Sequence, residues 1–292
     1  MANATPPLNF DTFWNFKDPG ISEIRFTELL AAATNPDDRI EIETQIARAQ
    51  VLQRNFAAAH QTLDDVEKRL FGASFATQVR YLLERGRAYN SSNERAKARS
   101  LFVRAFEVAE GAVLDDLAVD AAHMMGIIEP PIEALKWNER AVGIAEGSND
   151  LKAKGWLGSL YNNIGWTYYD KQNYPMAIEI FQRAEEWYKE RHSEQWIRIA
   201  RYSIGKTRRA MEQFAEALSI QECIAAEIEQ KHLDPDGYVF EELAECHLAL
   251  GRKEEAKPFF DRAYDLLSKD PWLAENEQKR LERLKELAGT GH

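Results

Sequence analysis

The stretch Leu160-Tyr-Asn-Asn-Ile-Gly-Trp-Thr-Tyr-Tyr-Asp-Lys-Gln-Asn-Tyr-Pro-Met-Ala-Ile-Glu-Ile-Phe-Gln-Arg-Ala184 places small and aromatic residues at fixed intervals. Counted from Gly165, the positions three, twelve, sixteen and nineteen residues later are Tyr168, Ala177, Phe181 and Ala184. Small side chains allow two helices to approach closely, and aromatic rings fill the space that remains between them. This stretch therefore predicts an antiparallel pair of helices.

The same spacing recurs along the chain, in six copies between residues 40 and 270. The copies begin at Ala47, Gly86, Ala122, Gly165, Gly205 and Ala244. In the copies that begin at Ala122 and Gly205, Asn138 and Gln221 replace the aromatic ring at the sixteenth position. Repetition of this kind predicts stacked helix pairs, each packed on its neighbours.

The recurring pattern resembles the tetratricopeptide repeat and covers about four-fifths of the chain. Successive copies begin 39, 36, 43, 40 and 39 residues apart, whereas the standard repeat has about 34 residues. This longer spacing is similar to that of the kinesin light chain and the peptide-pheromone receptors. The overall proportions resemble those of stand-alone bacterial members of the family.

The resemblance implies an all-α fold, a right-handed α–α superhelix (solenoid) of about six helix pairs with capping helices at both ends. We expect one continuous domain with three parts. Residues 1–39 form an aromatic segment and a capping helix, residues 40–270 form the six repeats, and residues 271–292 form a capping helix and tail. A first helix is expected from Ile21 to Ala33, and a last helix from Pro271 to about Leu287.

Composition limits the classes of partner. The net charge of −11 argues against nucleic acid as the main partner, because binding to phosphates needs clustered positive charge. No run approaches the roughly 18 apolar residues that span a membrane, and the first ten residues lack the basic start and apolar core of a secretion signal. Two cysteines are too few for a disulfide framework. We therefore expect a cytoplasmic protein without a membrane partner.

The chain lacks a recognisable catalytic motif. Gly205-Lys206-Thr207 resembles the end of a phosphate-binding loop, but Ala200 stands where that motif needs a glycine, and the context is helical. Cys223, His232, Cys246 and His247 are the cysteines and histidines that the repeat brings nearest to one another. Neighbouring residues on a helix project about 100° apart, which makes joint metal ligation by the last two unfavourable. We expect no enzyme activity, no metal site and no cofactor.

The candidate site follows from the family resemblance, in which the first helix of each pair lines a concave groove. Positions two and three before the small residue, and one and four after it, share one helix face; we call this set the first-helix face. The candidate peptide-binding residues on it are Arg48, Arg87, Asn90, His123, Asn162, Asn163, Trp166, Tyr169, Tyr202, Lys206 and Arg209. Asn163 matches a peptide-holding asparagine of kinesin-light-chain-like repeats.

The residue types on this face suit an extended peptide. Asparagine pairs with both backbone N–H and C=O groups, arginine holds carboxylates at two points, and aromatic rings supply contact area. Because the charges from Arg48 to Arg209 are mainly basic, we expect an acidic or carboxylate-bearing segment. The lysine and asparagine set of chaperone-docking members is absent from Thr44, Gln45, Arg48, Leu83 and Arg87.

Three functional readings stay open. The first is a protein- or peptide-binding scaffold or adaptor, and the second is a regulatory sensor whose superhelix changes shape when a peptide or small ligand binds. The third is self-assembly, and the oligomeric state is open. The aromatic segment Phe10-Asp-Thr-Phe-Trp-Asn-Phe16 is interpreted either as a cap on the first repeat or as a segment that occupies the groove.

Overall fold

The computed structural model describes residues 9–289, in which every regular element is a helix and no strand occurs. These residues fall into two compact units, which divide between Leu160 and Tyr161. Within residues 9–289, no helix is both long and apolar enough to cross a membrane.

The first unit begins with a 3₁₀ turn, Phe10–Phe13, and a helix α1, Pro19–Ala32. Three helix pairs follow, and their helices are α2 (Pro36–Leu52), α3 (Phe56–Glu67), α4 (Phe75–Ser91), α5 (Arg95–Gly111), α6 (Asp115–Ile128) and α7 (Pro131–Gly147). The short helix α8, Leu151–Gly155, precedes α9, Leu157–Asp170, and the division between the units falls inside α9. The first helices α2, α4 and α6 each contain one of the predicted small residues.

In the second unit, α9 is paired with α10, Tyr174–Glu190. The remaining helices are α11 (Glu194–Ala210), α12 (Phe214–Gln230), α13 (Gly237–Ala249), α14 (Lys253–Leu267), α15 (Pro271–Asn276) and α16 (Gln278–Ala288). Gly205 lies on α11 and Ala244 on α13, as the repeat spacing predicts.

The repeat spacing corresponds to the packing inside each pair. A Cβ atom on Gly86 would lie 2.4 Å from the Phe102 ring, and one on Gly165 would lie 2.4 Å from the Phe181 ring. The absence of a side chain at these positions lets the second helix bring its ring directly against the first helix. Positions twelve, sixteen and nineteen are buried in all six copies, including Asn138 and Gln221 where the ring is missing. The all-α repeat fold predicted from the sequence is confirmed.

The turn inside most pairs uses one residue in the left-handed conformation. These residues, which directly follow the C-cap of the first helix, are Arg54, Asn93, Gln172, Glu212 and Gly251. A residue with positive φ lets backbone N–H groups reach the last carbonyls of the helix; for example, Glu94 N donates to Tyr89 O at 2.8 Å. The α6–α7 connection differs, because Glu129 is extended and Pro130-Pro131 follows.

The predicted end helices are confirmed in part. The first helix, expected from Ile21 to Ala33, is present as α1, Pro19–Ala32, and the Asn35 side chain then caps α2. The prediction of one helix from Pro271 to Leu287 was wrong, because the chain breaks between α15 and α16 at Glu277, with φ −123° and ψ 32°. The Asn276 side chain donates to Trp272 O at 2.9 Å, and a side-chain bond of this kind competes with continued helix formation.

The glycine–ring contact predicts the effect of adding a methyl group. Gly165→Ala should lower the free energy of unfolding by about 1–3 kcal/mol, because the rigid Phe181 ring must move. Gly143→Ala is the matched control, since a methyl group at this position of α7 would have nothing within 4 Å; we expect it to raise stability by about 0.5–1 kcal/mol. Urea denaturation measures both. Equal effects at the two sites would contradict the packing argument.

Candidate functional site

All eleven candidate residues lie partly exposed on first helices, neither fully buried nor fully solvated. Four of them belong to the first unit, on α2, α4 and α6, and seven belong to the second unit, on α9 and α11. The two sets are therefore described separately.

In the first unit, the two candidate arginines share one carboxylate. Arg87 donates from Nη1 to Glu84 Oε1 at 2.7 Å, and Arg48 Nη1 lies 3.6 Å from the same oxygen. Arg87 also donates from Nη2 to Asp120 on the next first helix. The side chain of Glu84 is 2% exposed. Arg48, Glu84, Arg87 and Asp120 thus form an ion-pair chain that joins α2, α4 and α6.

The ionisation of this chain reflects both burial and pairing. Burial lowers the pKa of Arg48 more than Glu84 raises it. Burial also disfavours the charge of Arg87, but Asp120 and Glu84 raise its pKa above the ordinary value. Burial alone would raise the pKa of Asp120, yet the charge of Arg87 holds it below its usual range. Two arginines and two acids therefore stand together, and their formal charges balance.

His123 extends the same face on α6. Its ring centroid lies 5.2 Å from that of Trp156, whose indole Nε1 donates to Asp116 Oδ1 at 2.9 Å. Burial lowers the pKa of His123, while Asp120 opposes that shift and Arg87 adds to it. Asn90 is half-buried on α4, one turn after Arg87.

In the second unit, the candidate residues on α9 form an aromatic cluster. The Trp166 ring meets Tyr169 edge to face at 5.2 Å and Phe181 at 5.2 Å. Tyr169 also contacts Tyr174 at 5.5 Å, and burial raises the pKa of its hydroxyl. Asn162 and Asn163 lie half-buried one turn earlier on the same helix. The Phe181 ring, which packs against Gly165 inside the helix pair, thus also packs against the Trp166 ring.

The candidate residues on α11 gather around Glu242 of α13. Arg209 donates from Nε and Nη2 to the two carboxylate oxygens at 2.6 and 2.9 Å. Lys206 Nζ is farther away, 3.4 Å from Glu242 Oε1 and 3.4 Å from Tyr202 Oη. Glu242 is 1% exposed, and burial raises the pKa of Tyr202. Arg209 therefore satisfies this carboxylate, and Lys206 contacts it more weakly.

The carboxylates are the residues that the sequence analysis left out of the site. Glu84, Asp120 and Glu242 each stand two residues before the small residue of their repeat. An arginine at the preceding repeat reaches each of them, since Arg48 meets Glu84, Arg87 meets Asp120 and Arg209 meets Glu242. The expected surplus of positive charge is thus largely paired inside the protein. The alternation of arginine and acid at fixed repeat offsets was a signal that the sequence already contained.

The cysteines and histidines considered for metal binding differ in exposure. Cys223 is exposed and Cys246 is buried, and both are free thiols. Burial raises the pKa of Cys246 to about 12. In the part of the chain that the structure describes, no group of three or more His, Cys, Asp or Glu side chains is arranged to hold a metal ion.

Comparison with known proteins agrees with the repeat pattern. The family model described as tetratricopeptide repeat matches residues 158–191 and 239–266, which correspond to the pairs α9–α10 and α13–α14. No curated protein matches this chain in sequence.

Several solved structures share the fold. PH0952 from Pyrococcus horikoshii, a signal transduction ATPase with numerous domains and a tetratricopeptide repeat sensor, has a TM-score of 0.71 at 13% identity, over 91% of this chain and 41% of its own. The apo form of RapI has a TM-score of 0.73 at 15% identity, over 95% of this chain and 80% of its own.

The apo form of the quorum sensor NprR from B. thuringiensis has a TM-score of 0.64 at 14% identity, over 94% of this chain and 80% of its own. NprR in complex with its cognate peptide NprX gives a TM-score of 0.59. At these identities the likeness concerns the fold.

The pairing of Arg209 with Glu242 predicts a stability difference. Glu242→Gln places an amide NH₂ against an arginine N–H donor and removes the charge that two cations share, so we expect a loss of about 1–3 kcal/mol. Glu254→Gln is the control, because its partner Lys257 lies three residues away on the exposed face of α14; its effect should stay within about 0.5 kcal/mol. Chemical denaturation of both variants measures these losses. Similar losses would contradict the argument that the buried Arg209–Glu242 pair contributes more to stability than the exposed Lys257–Glu254 pair.

The lowered pKa of His123 predicts a pH effect on stability. The unfolded chain binds a proton at this histidine near pH 6.5, but the folded protein does so only at lower pH. Stability should therefore fall as the pH decreases from about 7.5 to about 5.5, since the unfolded state takes up more protons there. His123→Gln should lose less stability over the same range, measured by urea denaturation. Parallel curves for the two proteins would exclude His123 as a source of the pH dependence.

Proposed function

The chain is a tetratricopeptide-repeat protein, and from this premise we propose that it binds a protein or peptide partner through its first-helix face. In this role it acts as a scaffold or adaptor and catalyses no reaction. The cytoplasm is the compartment that we propose, in keeping with the two free thiols of Cys223 and Cys246.

The aromatic cluster of the second unit is the observation that carries this proposal. Trp166 and Tyr169 are both partly exposed, and Phe181 holds the indole in place from the buried side. Rings fixed in this way offer contact area at a low cost in conformational entropy. Aromatic residues are also over-represented among the residues that dominate binding energy. A partner side chain that packs on this cluster would exclude water from a surface that is already rigid.

The ion pairs refine the kind of partner. Arg87 and Arg209 are already held by carboxylates of the protein, so a partner carboxylate would have to compete with those bonds. Lys206 belongs to the same unit as the aromatic cluster and holds its two neighbours at the longer distance of 3.4 Å. We therefore assign the recognition of an acidic or carboxylate-bearing segment mainly to Lys206. Asn162 and Asn163 would form hydrogen bonds with the backbone of that segment.

The alternative function is that of a peptide-responsive sensor. Its support is the likeness to NprR, a quorum sensor whose structure in complex with its cognate peptide NprX shares this fold. In that role the partner would be a short peptide, and binding would shift the protein between conformations. Both functions use the first-helix face, and they differ in whether binding of a short peptide alone changes the protein.

Variants of the face test the proposal. The partner is first identified by affinity capture with the full chain followed by mass spectrometry, and its binding constant is then measured. Trp166→Ala should weaken binding more than Arg87→Ala, because the partly exposed indole offers apolar area that a partner can bury, whereas Arg87 is engaged by Glu84 and Asp120. Lys257→Ala, at an exposed position of α14 outside the first-helix face, is the control and should leave binding unchanged.

Circular dichroism and the melting temperature of each variant separate lost binding from lost folding. A stronger effect of Arg87→Ala than of Trp166→Ala in folded protein would reject the aromatic cluster as the centre of the site. Small-angle scattering with and without a bound short peptide distinguishes the sensor from the scaffold, since only a sensor changes its dimensions.

A further inference from the structure

The aromatic segment Phe10–Phe16 has two parts with different surroundings. The first part packs on α1, where Phe10, Phe13 and Trp14 all contact the fully buried Phe26 ring at centroid distances of 6.0, 5.8 and 5.1 Å. Ile42 and Ile46 of α2 complete this apolar cluster. This part is a cap on the first repeat, one of the two interpretations that the sequence allowed.

Trp14, which belongs to both parts, and Phe16 form the second part, which reaches the first-helix face of α2. Trp14 Nε1 donates to Gln45 Oε1 at 3.3 Å. The rings of Trp14 and Phe16 stack in parallel, with centroids 4.9 Å apart and an angle of 3° between their planes. The guanidinium of Arg48 lies 5.4 Å from the Trp14 centroid and 5.9 Å from the Phe16 centroid. Gln45 and Arg48 are the positions two before and one after the small residue Ala47.

Phe16 contributes to this contact without belonging to the buried cluster. Its side chain is 63% exposed, whereas Phe26 is completely buried. Because so little of the Phe16 side chain is buried, the hydrophobic effect contributes little to holding it in place. Its contacts with the Trp14 ring and the Arg48 guanidinium are therefore the interactions that position it. Arg48 in turn lies near Glu84, whose second carboxylate oxygen is buried without a hydrogen-bond partner. The Trp14–Phe16 stack therefore lies next to the ion-pair chain of the first unit.

We infer that Trp14 and Phe16 occupy a binding position on α2 and that they resemble the partner side chain that this position accepts. The position consists of the Arg48 guanidinium, which attracts the face of an aromatic ring, and the Gln45 amide, which accepts an N–H donor. The partner chemistry is thus an aromatic side chain, with tryptophan favoured, in an extended segment. This inference rests on the proposed function, since it assigns the part of the same face that lies on the first repeat.

A neutral tripeptide tests this inference directly. The probe is acetyl-Trp-Asn-Phe-amide, which has the sequence of residues 14–16, and its binding to the full chain is followed by NMR titration. Trp14→Ala/Phe16→Ala should bind the probe about tenfold more tightly than the unsubstituted protein, because two ring contacts with Arg48 no longer compete. Adding Arg48→Ala to this variant should abolish the gain, and acetyl-Ala-Asn-Ala-amide should bind neither protein.

Equal probe binding by the unsubstituted protein and the double variant would overturn the inference. So would a gain that persists without Arg48. If the double variant fails to fold, Phe16→Ala keeps Trp14 on the Phe26 cluster, and we expect a gain of about threefold; no gain in that folded variant counts against the inference. The Trp166 test uses other residues and another ligand, so either proposal can fail alone.

Discussion

The approach of a phenyl ring to a bare glycine backbone is the contact on which the rest of the structure depends. Phe102 against Gly86 and Phe181 against Gly165 set the distance between the helices of their pairs. The first-helix face flanks this contact on the same helix, and its side chains also reach the neighbouring first helix, as Arg87 reaches Asp120. Trp166 shows the connection directly, because it rests on the same Phe181 ring that fills the glycine contact. The Phe181 ring therefore contributes both to the packing inside the helix pair and to the position of Trp166 in the candidate site.

Ion pairs between successive first helices are the second level of organisation. They join α2, α4 and α6 in the first unit and α11 and α13 in the second. Arg280 and Arg283 of the end helix α16 pair in the same way with Glu241 and Glu245 of α13. Breaking one partner of such a pair is costly because the other charge stays partly buried. The pairs consequently fix the neighbouring helices while they neutralise the face. In the function that we propose, recognition on this face therefore depends on rings, amides and the weakly held Lys206 more than on net charge.

The residues that the sequence identified correctly are those whose role is defined by an interval inside one repeat. Ala177, Phe181 and Ala184 are buried because they are twelve, sixteen and nineteen residues after Gly165. The pairing of Arg87 with Asp120 was missed because it joins residues of two different repeats. Charges that are considered one position at a time do not indicate which of them pair. The break at Glu277 was missed for a different reason, because it lies in the conformation of one residue, with φ −123° and ψ 32°, which no repeat interval specifies. Periodic constraints can be read from a sequence, whereas the conformation of one residue outside the repeat pattern cannot.

On α2, the first helix of the first repeat, the position two residues before the small residue has a different hydrogen-bond donor and acceptor. Glu84 and Asp120, two residues before their small residues, accept bonds from arginines. Gln45 holds the equivalent position on α2, which has no preceding first helix among the described residues, and there the Trp14 indole supplies the donor. An uncharged amide suits this place because an indole N–H brings no positive charge to balance a carboxylate. Trp14 therefore donates to Gln45 in place of an arginine and also contacts Arg48, so that one tryptophan both caps the fold and occupies the proposed binding position.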